Sequence, residues 1–479
     1  MAHASRSSLL FLALSVYCLL VLPRMLSHGM FIDGVAHASI ARNMAENYGS
    51  LWRPYYTATV YPIFYEQPPL GFWLQAWAYR LCGDAAYVEA LWGFVVGALI
   101  LVGLGGIWRC LRPQGVAVSG TWSPMVLFVI MPMTSWAFSN NMLENTMTFF
   151  IVISVYFCMV SLKNPQVLSS LSYGILSGVC IFLAVLVKGP VAIFPIAVPF
   201  ISMISEGKKL LRVVVTTFIL VTTLVLAFGL MFSLRTESAH FLKRYWHQQV
   251  LASITGERET SASHFNILQV VSRENLVPLL AAGMLTAAMY RLRKTTVSAI
   301  QYRLCLYYLG IALAGSLPIL ISAKQKRWYA FPSLPFYSLA IAVVFNDVAL
   351  ALERFIGENK RRCKYSTLFS SMILCIAVFL MFLEKNALGR DKDFHRDFSE
   401  QSLIIAERSI ISVYPKSLAM HWSLVANMQR KFKASLAETL AHDYLLTTTE
   451  YLHSEHIPSK YKRIPPFYAK KYIVFRLAD

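Results

Sequence analysis

The sequence predicts an all-α polytopic membrane protein with large loops at one face and a small soluble α/β domain near its C-terminus. Three observations carry that reading. The 479 residues are 56% hydrophobic and only 14% charged, against about 25% charged in soluble domains. Mean hydropathy is +0.52. Apolar stretches near the roughly 20 residues needed to span a bilayer recur along the chain and stop near residue 384.

Candidate spans lie near 8–26, 87–108, 120–138, 142–162, 170–187, 190–205, 211–232, 275–290, 301–321, 329–349 and 366–383, about eleven by the length rule. The Lys-Gly-Pro at 188–190 reads as a break between two short helices. With the N-terminus inside, the inner connections WRCLRP, LKNPQ, EGKKLLR, RLRKTT and ERFIGENKRRCK are basic, as inner loops should be. The outer segments are then 29–86, 139–145, 188–190, 233–274, 322–328 and everything after about 384. The first apolar stretch reads as an uncleaved span, since no convincing small-residue cleavage site follows it.

Two units follow: a membrane unit over 1–384, with outer loops 29–86 and 233–274, and a polar domain over 385–479. ASIARNMAENYG (38–49) has the spacing of a helix lying on the membrane, with a glycine stop. In the polar domain, SEQSLIIAERSI reads as an amphipathic helix, YKRIPPFYAK as a loop and KKYIVFRLAD as a closing strand.

The net charge of +19 fits basic inner loops and contact with anionic lipids. No basic module of a nucleic-acid-binding type is present, so no nucleic-acid partner is expected. The eight cysteines show neither a disulfide framework nor zinc-type spacing.

The long first outer segment draws attention, because such segments usually carry function. Asp33 follows the first span; taken alone it also fits a headgroup-level carboxylate. Glu66 precedes Gln67-Pro68-Pro69, a stiff corner able to fix a carboxylate. Lys188 ends one span, where snorkelling explains a lysine equally well. Lys324, Lys326 and Arg327 sit on the outer side, against the topological trend, and point to a bound anion. Trp328 and Tyr329 beside them also suit an interfacial aromatic belt. His264 lies in the second large outer loop.

The order of these pieces resembles the GT-C glycosyltransferases that use polyprenyl-phosphate sugars. The branch it resembles most holds protein O-mannosyltransferases and the lipid A aminoarabinose transferases. The resemblance spans about residues 8–350 and rests on IDGVAHASIARNM, FYEQPPLGFWLQAWAYRLCGD, an Asn-X-X-X-Glu-Asn before a span, VLVKGPVAIFPIAVP and SAKQKRWYAFPSLPFYSLAIA. It implies a catalytic acidic residue at Asp33, metal or substrate binding at Glu66, a functional histidine at His264 and a functional lysine at Lys188. A divalent metal held by Glu66 and His264 is part of that expectation. Lys188, Lys324, Lys326, Arg327 and Tyr329 are the expected phosphate and substrate contacts. The implied donor is a polyprenyl-phosphate sugar, and the implied acceptor an envelope glycolipid or protein at the outer face of a bacterial inner membrane. Two positions depart from the family: Gly34 stands where Asp-Glu is common, and Gln67 where Glu-Lys-Pro-Pro is common. The competing reading is a lipid or sugar-lipid transporter, which would place ionisable groups near the bilayer midplane.

Overall fold

The computed structural model describes residues 2–110, 117–258, 260, 263, 265–289, 298–399, 405–452, 457–464 and 468–478. The chain opens with helix α1 (Ala2–Val21), α2 (Ile32–Ala45), the short hairpin β1 (Gly49–Ser50) and β2 (Arg53–Pro54), and α3 (Leu70–Cys82). Next come α4 (Val88–Cys110), α5 (Trp122–Val129), α6 (Pro132–Ser139), α7 (Leu143–Lys163) and α8 (Val167–Lys188). After a 3-10 stretch at Pro190–Ala197 follow α9 (Val198–Glu206), α10 (Leu210–Leu234), α11 (Thr236–Tyr245), a π turn at Trp246–Leu251 and α12 (Ala252–Thr255). The bundle is completed by α13 (Asn266–Met289), α14 (Ala299–Ser316), α15 (Leu334–Val344), α16 (Asn346–Gly357) and α17 (Lys360–Leu383).

Among the described residues, seven helices are long and apolar enough to cross a membrane, and the bent pair α5–α6, kinked by 74°, makes eight. Pro132 at the start of α6 explains that kink. The other three expected spans are irregular, so length and composition alone do not establish eleven. Pro190–Glu206 is short and begins in 3-10 geometry around Pro195. The stretch at 329–349 starts as a 3-10 turn and breaks at Phe345. Helix α13 begins at Asn266 rather than near 275, which brings Arg273 and Glu274 inside it.

Helix α2 corrects one expectation. Every residue from Gly34 to Met44 is buried, so this segment does not lie on a membrane surface. One side rests on α3 and the other is covered by the C-terminal domain. The surface face belongs to α3, where Trp73, Trp77 and Leu81 are exposed at helical spacing.

Beyond α17 the chain returns to the first span: His28 donates to the Ala387 carbonyl at 2.9 Å, and Gly389 to that of His28 at 2.8 Å. There follow α18 (Lys392–Asp397), β3 (Ile410–Val413), α19 (Trp422–Phe432), β4 (Ser435–Ala437), β5 (Tyr444–Thr448), β6 (Tyr461–Arg463) and β7 (Tyr472–Leu477). The sheet order is β4-β3-β5-β7-β6, with β3 parallel to β4 and β5, and β7 antiparallel to β5 and β6. The small α/β domain and its closing strand are therefore as read from the sequence. The expected helix at 399–410 lies partly outside the described residues, and its described part, 405–409, is turn and strand entry. The expected loop at 461–470 begins as β6, with 465–467 outside the described residues.

Candidate active site

Asp33 occupies the first turn of α2. That turn is stitched to the connection between α6 and α7. Phe31 N–H donates to Asn140 Oδ1 at 2.6 Å, Asn141 Nδ2 donates to the Gly34 carbonyl at 3.0 Å, and Gln75 Nε2 donates to Asn141 Oδ1 at 2.9 Å. A Cβ at position 34 would lie 2.0 Å from the Asn140 carbonyl oxygen. A side chain at this position would collide with that backbone, so the close approach of α2 to the Asn140 turn requires glycine.

Burial pushes the Asp33 carboxyl above the usual aspartate range, and Lys188, Lys324, Lys326 and Arg258 pull it partway back. Glu66, in the loop leading to α3, is also raised. Burial is the main cause, Arg258 and Lys324 oppose it, and Asp33 adds to the rise. Four cations and two carboxyls, far apart in sequence, thus share one field.

Lys188 closes α8, and Gly189 turns the chain with φ +99°. The lysine Nζ lies 2.9 Å from Glu144 Oε1, with both side chains largely buried. Tyr245 of α11 fastens this corner, donating its hydroxyl to the Lys188 carbonyl at 3.1 Å. A Cβ on Gly189 would sit 2.1 Å from that hydroxyl oxygen, so glycine is required here for space as well as for φ.

Several of these groups line a cavity of about 730 Å³. Glu66, Gln67, Glu144, Lys188, Gln249, Arg258 and Tyr329 belong to its polar lining. Most of the remaining lining is apolar, supplied by Val191, Ile193, Phe194, Ile196, Ala197 and Phe200 and by Ala314, Pro318, Ile319 and Ile321, with Tyr245, Ser253 and Ser322 among them. Such a groove suits an amphiphile, with an anionic head among the cations and a hydrocarbon tail along the wall.

Of the expected site residues, Glu66, Lys188 and Tyr329 line the groove, and Asp33, Lys324 and Lys326 stand within its electrostatic reach. Arg327 is not in the lining; its guanidinium lies 4.9 Å over the Trp136 ring. Trp328 stacks on the same ring, with centroids 5.8 Å apart. His264 lies outside the described residues. Among the described residues no three His, Cys, Asp or Glu side chains gather to hold a metal ion, and the ionic partner of Glu66 is Arg258 at 3.8 Å. The described residues do not by themselves form a metal site, and no reaction step is derived through one.

Three groups escaped the sequence reading. Glu144 lies in the Asn-X-X-X-Glu-Asn motif, which was noted without a role for the carboxylate. Arg258 follows no pattern in its loop. His37, one turn after Asp33, is buried with no hydrogen-bond partner for Nδ1 among the described residues, and burial, with Lys188 adding to it, lowers its pKa to about 3.

Residues 66–232 match the family model for dolichyl-phosphate-mannose-protein mannosyltransferase. No curated protein sequence matches the chain significantly. Among solved structures, the fold is similar to ArnT from Cupriavidus metallidurans in the apo state, with TM-score 0.65, 15% identity and 97% of each chain covered. The same protein bound to undecaprenyl phosphate gives TM-score 0.62 at 16% identity, again with 97% of each chain covered. The apo oligosaccharyltransferase of Archaeoglobus fulgidus gives 0.56 at 12% identity, covering 93% of this chain and 70% of that one. The resemblance read from the sequence thus holds for the fold: the chain is a multi-pass GT-C-fold membrane protein, similar to ArnT over nearly its whole length and, over residues 66–232, to the dolichyl-phosphate-mannose-protein mannosyltransferases.

Proposed function

We propose that the protein is an integral-membrane glycosyltransferase that moves a sugar from a polyprenyl-phosphate carrier to an envelope acceptor. The observation that carries this reading is a largely apolar groove lined by the raised Glu66 carboxyl, Lys188 and Arg258, with the raised Asp33 carboxyl and Lys324 within electrostatic reach of these groups. The similarity of fold to a protein solved with undecaprenyl phosphate supports it. The carrier's tail lies along the Val191–Phe200 and Ala314–Ile321 walls, and its phosphate among Lys188, Arg258 and Lys324. The acceptor is a hydroxyl or phosphate of lipid A or another glycolipid, favoured over protein by the resemblance to lipid A aminoarabinose transferases. The site faces the periplasm from a bacterial inner membrane, an orientation supported by the basic connections at the opposite face.

The chemistry is a single displacement with inversion. The acceptor oxygen attacks the anomeric carbon and forms the new glycosidic bond. The bond from that carbon to the carrier phosphate breaks, and its electron pair leaves with the phosphate. A hydroxyl acceptor gives its proton to Asp33, whose raised pKa makes it a better base than an ordinary aspartate. The leaving phosphate needs cations rather than a proton, and fixed cations in a water-poor site supply the stabilisation. Ionisable groups carried by loops and helix ends suit surface chemistry better than carriage across the bilayer.

The test is transfer from labelled polyprenyl-phosphate sugars to an envelope lipid extract by purified protein, with Asp33→Asn as control. Label in a new product that the variant fails to make supports the reading. Full transfer by Asp33→Asn would remove Asp33 as base, and transfer from a nucleotide sugar without carrier lipid would remove the donor assignment.

A further inference from the structure

None of the cavity-lining residues comes from the C-terminal sheet domain, yet that domain touches both segments that carry the site carboxyls. On α2, Arg42 is 1% exposed. It donates to Asp84 Oδ2 at 3.2 Å and to the Gln429 carbonyl of α19 at 2.9 Å. From α19, Arg430 donates to Asp84 Oδ1 at 2.7 Å, to Glu89 Oε1 at 3.0 Å and to the Ala85 carbonyl at 3.2 Å. Tyr79 of α3 donates to the other oxygen of Glu89 at 2.8 Å. Lys433 then bridges to Glu46, just past α2, at 2.9 Å.

A second set of contacts holds the loop before Glu66. Ser435 Oγ accepts from Ala58 N–H at 2.8 Å, and Thr59 donates to the Leu436 carbonyl at 2.6 Å. Trp422 packs edge-on against Tyr61 at 5.2 Å and Tyr56 at 6.1 Å.

Lids are drawn from weakly held parts of a protein. This junction is the opposite: Arg42 is buried, Arg430 is half-buried, and Asp84, Glu89 and Glu46 are each ion-paired. Ion pairs withdrawn from solvent add little net stability but can specify one arrangement over its neighbours.

We propose that the C-terminal domain is a brace rather than a lid, with Arg430 as its positioning residue, fixing α2 and the 55–61 loop so that Asp33 and Glu66 stay in register with the charged side of the groove. The proposal rests on the glycosyl-transfer reading for its catalytic readout only.

The experiment uses the full chain in lipid nanodiscs, comparing Arg430→Met, Arg430→Lys and the swap Glu89→Arg with Arg430→Glu. Amide hydrogen exchange is followed over 32–45 and 55–61, and kcat and donor KM are measured per folded molecule. Arg430→Met is expected to raise exchange in both segments at least tenfold and to lower kcat tenfold or more, with donor KM within about twofold. The lysine variant should recover part of both effects. Unchanged exchange, or unchanged kcat in folded Arg430→Met, overturns the proposal. Should that variant fail to fold, Tyr61→Ala breaks the Trp422 contact without touching a charge and decides the same question. If the parent protein transfers no sugar, the activity reading fails, while the exchange data still decide the brace.

Discussion

The charged side of the groove site and the junction beneath the C-terminal domain are built from the same materials, partly buried carboxyls facing arginines and lysines, with opposite results. At the groove, burial outweighs the cations, so Asp33 and Glu66 are raised. At the junction, burial also pushes Asp84 up, but Arg430, Arg42 and Lys433 together outweigh it and bring the carboxyl below its usual range. The difference is geometric. Asp84 receives arginine hydrogen bonds at 2.7 and 3.2 Å, whereas the ion-pair contact of Glu66 is at 3.8 Å. Closely held charges fix structure, and loosely held ones remain available for chemistry.

The sharpest way to break this contrast is at Asp33. Asp33→Asn should lower transfer by about 10²–10⁴-fold, the span for a general base, with donor binding retained. Asp84→Asn, at the junction, should leave the chemical step open and act on stability instead. Differential scanning and transfer assays on the two variants should therefore separate cleanly.

Lys188 comes next. Lys188→Met should weaken donor binding by about 10–100-fold, since a hydrogen bond to a charged group is worth about 1.5–3 kcal/mol. Removing the lysine also strands Glu144, so Lys188→Met is paired with Lys188→Met/Glu144→Gln. Recovery of stability without recovery of affinity in the double variant assigns the lysine to the phosphate. Gly34→Ala should then cost about 1–3 kcal/mol, because its Cβ would meet the Asn140 carbonyl oxygen at 2.0 Å. A lower melting temperature together with reduced transfer would tie the Asn140–Asn141 turn to the placement of Asp33.

The smallest effect is in the pH dependence of stability, and it has opposite signs in the two regions. The folded-state pKa of Asp33 is raised, so the unfolded chain ionises first as pH climbs. Stability is then lost between the ordinary aspartate value, about 3.9, and the raised folded value. Asp33→Asn should gain stability at neutral pH, a gain that disappears below about pH 4. Asp84 is depressed, so its contribution is present above the ordinary value and is lost as pH falls through the folded one. Asp84→Asn should lose stability at neutral pH and converge with the parent in acid. Melting temperatures from pH 3 to 8 measure both.

The site was legible where its chemistry is written locally. Glu66 stands at a proline-stiffened corner and Lys188 before a Gly-Pro break, and the sequence marks both. Arg258 could not be read, because only the fold carries a loop arginine to the mouth of a groove formed by Pro190–Phe200 and Ala314–Ile321. Helix α2 was legible as a helix but misplaced. Its polar-and-apolar pattern suits a membrane surface equally well, until α19, almost four hundred residues later, covers the other side. The apolar runs located most long helices, although α13 and α17 begin six to nine residues earlier, where polar residues extend the helix. The number of spans stayed open where Pro132, Pro195 and Pro332 break helices into pieces too short for a length rule.

The hydrogen bond from Arg42 to the Gln429 carbonyl closes a separation of 387 residues. At about 5–20 residues per second, translation takes about 20–80 s to cover that distance. For that time the newborn α2, with its arginine and the turn that carries Asp33, lacks the cover that α19 gives one of its sides. The chain makes its first helices long before the elements that enclose them.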